Sequence, residues 1–158
     1  MIEYSASPLD EAEVAQLVGR PMAGRFRVVV RRRTGEPMVI ENEPHLRDGT
    51  PMPTLYWLVD PEVTDQVSVL ESTGGVHRYE LLISPEEIEA IHDRYAARRR
   101  AAVSLHEGPQ PSGGVGGTRR GLKCLHAHVA NYLAGHDDAV GALVVSEIHV
   151  PPMILVAT

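Results

Sequence analysis

The chain has 158 residues, 43% of them hydrophobic, with a single cysteine, and its 15 basic and 21 acidic residues leave a formal charge of -6. A chain of this size is expected to form one domain with a real core. The lone cysteine excludes an internal disulfide and fits a reducing compartment, the cytoplasm, while the acidic balance speaks against a general nucleic-acid coat protein.

The N-terminal stretch lacks a basic region followed by an apolar run, and no segment approaches the roughly 18 apolar residues that span a bilayer, so neither export nor membrane insertion is expected. Ser7-Pro8 followed by Asp10 and Glu11 predicts a helix from about Pro8 to Val18: a hydroxyl cap, a proline at the first position, and carboxylates at the positive end of the dipole. In RFRVVVRRRTGEPMVIENE the apolar Phe26, Val28 and Val30 alternate with Arg25, Arg27, Arg31 and Arg33. Thr34-Gly35 marks a turn before Met38, Val39 and Ile40, so the segment reads as a hairpin whose arginine face is either simply solvated or part of an anion site. Pro44 to Pro53 reads as a loop, and the apolar TLYWLV after it, with the only tryptophan, as core.

Asp60-Pro61 caps a helix with Val63, Val67 and Leu70 on one face, ended by Gly74-Gly75, and the stretch from Val76 to Ile83 is ambiguous. Ser84-Pro85-Glu86-Glu87 opens the clearest helix, with Ile88, Ile91 and Tyr95 inward and arginines near its end. A flexible connector of about 106–117 leads to a helix whose core stripe is Leu122, Leu125, Val129, Tyr132 and Leu133. Asp137-Asp138 caps a last helix through Val144, and an apolar tail of about 149–158 follows. The pattern predicts a single α+β domain over 1–158: a small antiparallel or mixed sheet from the N-terminal half packed with helices, and a helical C-terminal half.

The candidate chemistry sits in GVGGTRRGLKCLHAH. On a helix Cys124 and His128 share a face, and stepping by 100° turns His126 roughly 160° away from His128. Cys124 with His128 is therefore the usable pair: an inert buried thiol, a nucleophile beside an imidazole, or two legs of a divalent-metal site, with Asp48 or Asp60 as a further member. Gly114, Gly116 and Gly117, with Thr118, Arg119, Arg120 and Lys123, offer backbone amides and cationic side chains to a small phosphate-bearing anion at a helix start, or form a plain connector. The run is not a Walker A loop, since GxxxxGK[ST] is absent.

Two strings, DGTPMPTLYWL from Asp48 to Leu58 and GVGG followed by KCLHAH from Lys123 to His128, resemble a bacterial, largely actinobacterial family catalogued as domain of unknown function 501. The resemblance implies no reaction. It implies a genomic setting beside a septum-formation initiator protein and an exopolyphosphatase-like phosphatase. Where many relatives read Trp-Leu-Thr-Cys-Pro this chain has Asp60 in the cysteine position, which removes any necessary disulfide with Cys124. The leading expectation is a cytoplasmic accessory protein that binds a small phosphate-type anion. The rivals are a metal- or thiol-dependent hydrolase using Cys124 and His128, and an interaction module or homo-oligomer formed through the apolar tail.

Overall fold

The computed structural model of the protein describes residues 2–103 and 108–156. Strands β1 (Phe26–Arg32), β2 (Pro37–Asn42), β3 (Tyr56–Leu58) and β4 (Met153–Leu155) form one antiparallel sheet in the order β3-β2-β1-β4. Around it lie helices α1 (Pro8–Val18), α2 (Pro61–Ser72), α3 (Gly75–Leu82), α4 (Pro85–Ala102), α5 (Leu125–Leu133) and α6 (Ala139–Ser146), with a 3-10 turn at Val115–Gly117. The fold is α+β, as the sequence pattern implies.

The sheet separates two cores. Phe26, Val28 and Ile40 pack with Val14 of α1 and with Val59 in the smaller one, while Val29, Val30, Met38 and Val39 join the larger core under α2 to α6. Two register irregularities between Val28 and Arg31 divide the valines of β1 between the cores, because a one-residue slip in a strand turns the side chains to the other face.

The arginine face of the hairpin is not an open cationic surface. Arg25 bonds Glu43, Arg27 bonds Glu41 at 2.8 Å, Arg31 holds Asp10 of α1 at 2.6 Å, and Arg32 holds the buried Asp60 at 2.6 Å. Those four guanidinium groups tie the sheet to its neighbours and leave the anion reading little to draw on there.

Three further expectations change. The ambiguous stretch forms α3, and Gly74-Gly75 is a corner between two helices: Gly74 takes a left-handed φ of 85°, and a Cβ on Gly75 would lie 2.4 Å from the Leu70 carbonyl oxygen. The apolar tail contributes the fourth strand, at the edge of the sheet, with Val30 opposite Leu155 and Arg32 opposite Met153, while the Ile154 and Leu155 side chains stay exposed; its residues 157–158 lie outside the described residues. The expected connector begins at 106–107, also outside the described residues; of its described part Gly108, Pro109, Gln110, Ser112 and Gly117 are exposed, while Pro111, Gly113, Gly114 and Val115 are buried. Arg99 of α4 holds it, donating to the carbonyl oxygens of Ser112 and Gly113 and, across the gap, to Met52 at 2.6 Å.

Candidate functional site

The glycine run and KCLHAH meet, but not as a helix-start cradle. Helix α5 begins at Leu125, so Thr118 to Lys123 form an irregular stretch ahead of it. Gly114 N–H donates to the Thr118 carbonyl, Gly117 N–H to the Gly114 carbonyl, and Val115 N–H to His92 Nδ1 of α4 at 3.0 Å, so these three amides are engaged within the protein. The glycines serve close approach. A Cβ on Gly114 would lie 2.5 Å from His92 Cβ, and one on Gly116 3.3 Å from Cys124 Cβ, with Gly116 in a left-handed φ of 69°. His92 Nε2–H in turn donates to the Gly121 carbonyl at 2.7 Å, so one imidazole pins both ends of the segment leading to Cys124. Burial, foremost, lowers the pKa of His92 and so favours the neutral form that can accept from Val115.

Cys124 and His128, expected on one face, are joined by a backbone bond of 3.4 Å from the His128 amide to the Cys124 carbonyl, but among the described residues their side chains are not a hydrogen-bonded pair. Cys124 is the N-cap residue of α5 with φ -141° and ψ 112°, outside the helix, so the 100° stepping does not apply to it. Its thiol lies instead with His126 and Glu71 of α2: the Cys124 sulfur, a His126 ring nitrogen and a Glu71 carboxylate oxygen are all within 4.8 Å of one another. His128 turns the opposite way, donating Nδ1–H to Asp138 at 2.9 Å, and Asn131 and the Gly141 amide bond the same carboxylate. His128 Nε2 is buried without a partner among the described residues.

Asp48 is exposed and accepts from the Thr50 amide in its own turn. Asp60 caps α2 through the Val63 amide and pairs with Arg32. Neither joins the cysteine, and Glu71 takes the carboxylate place expected of them. Glu71 escapes a reading of motifs because it lies far back in the chain. Its signal is the polar stripe Thr64, Ser68 and Glu71 on α2, one face at helical spacing.

That stripe builds the setting of His126. Nδ1 is 2.6 Å from Glu71 Oε2, and Nε2 is 3.2 Å from the Thr64 carbonyl oxygen and 3.0 Å from Ser68 Oγ. Because the Thr64 carbonyl and the Glu71 carboxylate can only accept, both contacts are hydrogen bonds when both ring nitrogens carry protons, Nε2–H donating to Thr64 and Nδ1–H to Glu71, and the other Glu71 oxygen accepts the Leu125 amide at 3.4 Å. The Cys124 sulfur foremost, then the Glu71 charge, raises the pKa of His126 against the opposing effect of burial. Glu71 and His126 side chains are about one-quarter exposed, so solvent and small ligands reach the cluster.

One sulfur, one imidazole nitrogen and one carboxylate oxygen are the donor types that zinc takes. The bond from Nε2–H to a backbone carbonyl is the support a metal-ligating imidazole ordinarily has on its far nitrogen. Residues 28–146 match the family described as Protein of unknown function (DUF501), a span that includes Glu71, Cys124 and His126. The chain belongs to that family. No curated protein and no solved structure matches it. Among the described residues no helix of this DUF501 protein is long and apolar enough to cross a membrane.

Proposed function

We propose that this protein binds one zinc-type divalent cation through Glu71, Cys124 and His126 and acts as a metal-assisted hydrolase. The observation that carries the reading is the convergence of three different donor atoms within 4.8 Å in a solvent-reached position. Three protein ligands leave a tetrahedral ion one position for water or substrate, and an ion bound there supplies a Lewis acid and a water of lowered pKa. The protein's part is to hold the donors: the α5 start places Cys124, the Thr64 carbonyl orients His126, and the Leu125 amide steadies Glu71.

Calorimetric titration of the metal-free protein with zinc tests this. One-to-one binding is expected, with Cys124→Ser and His126→Asn each weakening it at least about tenfold. No binding by the wild type, or unchanged affinity in both variants, overturns it. Affinity should fall as the pH drops through the raised pKa of His126, because the proton and the ion compete for Nδ1. Zinc-dependent cleavage of an activated ester or phosphate ester, lost in the same variants, tests the hydrolase step separately.

A phosphate-type anion is the second reading, as substrate or as ligand. It is favoured by Arg119, Arg120 and Lys123, exposed on the segment leading into Cys124, the two arginines facing Asp93 and Glu89 only at 4.0 and 3.9 Å. With the Gly114, Val115 and Gly117 amides engaged, these side chains carry most of the interaction. Replacing both arginines by alanine should weaken phosphate or polyphosphate binding at least about tenfold, and equal affinities would end this reading.

A further inference from the structure

A second site lies on the other side of the sheet, and it is built by the DGTPMPTLYWL string, which the metal centre does not use. Trp57 of β3, opposite Ile40 of β2, remains half-buried there against the smaller core. A cavity of about 350 Å³ opens over it. Its apolar walls come from Met22, Leu46, Met52 and Pro53, and its rim from Arg20, Arg25, Asn42 and Glu43. The walls are held in place before any ligand arrives. Arg99 binds the Met52 carbonyl, Asn42 donates to the Thr54 carbonyl, Arg47 donates to the Met22 carbonyl, and Gly24 lets Leu46 approach to 3.1 Å of where a Cβ would stand.

The charges on the rim select the ligand. Arg25 is matched by Glu43 through two hydrogen bonds of 3.0 and 2.9 Å, so that pair is neutral together. Arg20 has no carboxylate partner among the described residues and lies with its guanidinium carbon 5.8 Å from the Trp57 ring centre. The cavity therefore offers one uncompensated positive charge, one aromatic face and an apolar floor, in a volume that suits a small molecule.

We propose that this cavity binds a small aromatic monocarboxylate, its ring on Trp57 and its carboxylate on Arg20. A guanidinium meets a carboxylate with two parallel N–H bonds, and a flat ring stacks on the indole. The site stands apart from Glu71, Cys124 and His126, and its failure would leave the metal reading untouched.

Trp57 is the only tryptophan of the chain and lines the cavity, so its fluorescence reports occupancy directly. The experiment titrates the full chain with 4-tert-butylbenzoate, the matching neutral benzyl alcohol and the matching benzylammonium. Saturable change is expected for the carboxylate at least about tenfold below the concentration the alcohol needs, with the ammonium weakest. Arg20→Gln should bring carboxylate and alcohol to equal affinity while circular dichroism stays unchanged, since Arg20 is exposed. Met52→Glu, which places a like charge in the wall, should abolish carboxylate binding; if it unfolds the chain, the Arg20→Gln comparison still decides. The proposal is overturned if the wild type shows no saturable change with the carboxylate, or if Arg20→Gln keeps the tenfold preference.

Discussion

At Gly114 a missing methyl group holds two elements together. The loop backbone runs so close to α4 that an added Cβ would meet His92 Cβ and Nδ1 at 2.5 Å, and both atoms belong to a fully buried side chain. Gly114→Ala should therefore destabilise the protein by about 1–3 kcal/mol, the usual range for overpacking a tight core. Paired with His92→Gly it should show less than additive loss in urea denaturation, because that change removes the Cβ and ring atoms that the new methyl would meet. Strictly additive losses would mean that the loop moves aside freely. The glycines themselves are plain in the sequence, but their purpose is not. Three glycines near arginines suggest an anion cradle by local chemistry, whereas the cause of Gly114 is a histidine on a different element. Cys124 shows the same thing at a helix boundary: a start displaced from the arginines to Leu125 takes the thiol off the helical face and gives it to Glu71.

Helix starts are where the sequence was most legible, because a cap is a contact within four residues. Ser7, Asp60, Ser84 and Asp138 each accept an amide three positions on, and each is readable from its own neighbourhood. The remaining partners of a cap residue are not local. Asp60 is also the buried partner of Arg32 on β1, at 2.6 and 3.1 Å, so a cap doubles as the bolt between α2 and the sheet. Asp60→Ala should cost about 1 kcal/mol for the cap and more for the guanidinium left without its partner, whereas Asp60→Asn keeps the cap and loses chiefly the charge. Chemical denaturation should rank wild type, Asn and Ala in that order. Zinc affinity at Glu71, Cys124 and His126 should be the same in all three, and a loss in Asp60→Ala beyond its loss of stability would make Asp60 a ligand after all. β4 was illegible as a strand for a related reason. Two prolines ahead of three apolar residues carry no periodicity of their own, and only pairing with β1 makes Met153–Leu155 extended.

At the scale of the whole molecule, several histidines are held in protonation states that oppose one another, and the balance sets how the protein responds to pH. His136 lies against Tyr56, its Nε2 2.7 Å from the phenol oxygen, and burial, then the charge of Arg98, pushes its pKa down to about 4. His92 is shifted the same way, chiefly by burial. In the unfolded chain both titrate near the ordinary value of 6.5. Below that pH the unfolded chain takes up protons that the folded protein refuses, so stability present above pH 6.5 is lost as the pH falls toward about 4. His126 has the opposite sign: its raised pKa contributes stability below 6.5 that is lost as the pH rises through the folded value.

The metal-free protein is therefore expected to have its urea midpoint fall between pH 6.5 and about 4, and to soften again on the alkaline side of the His126 titration. Zinc should restore the alkaline side alone, since the ion replaces the proton on His126 there, whereas His92 is fully buried and neither it nor His136 belongs to the donor cluster. His136→Gln keeps a polar group toward Tyr56 but cannot take up a proton, so the acid fall should become shallower in that variant while the response to zinc is unchanged. Midpoints measured with and without zinc at pH 4.5, 6 and 8 separate the terms, chosen as roughly the edges and centre of these titrations. An acid slope identical in wild type and His136→Gln would assign the acid loss to His92 and the loop it pins, and a zinc effect equally large at both ends would mean that the ion binds somewhere other than His126.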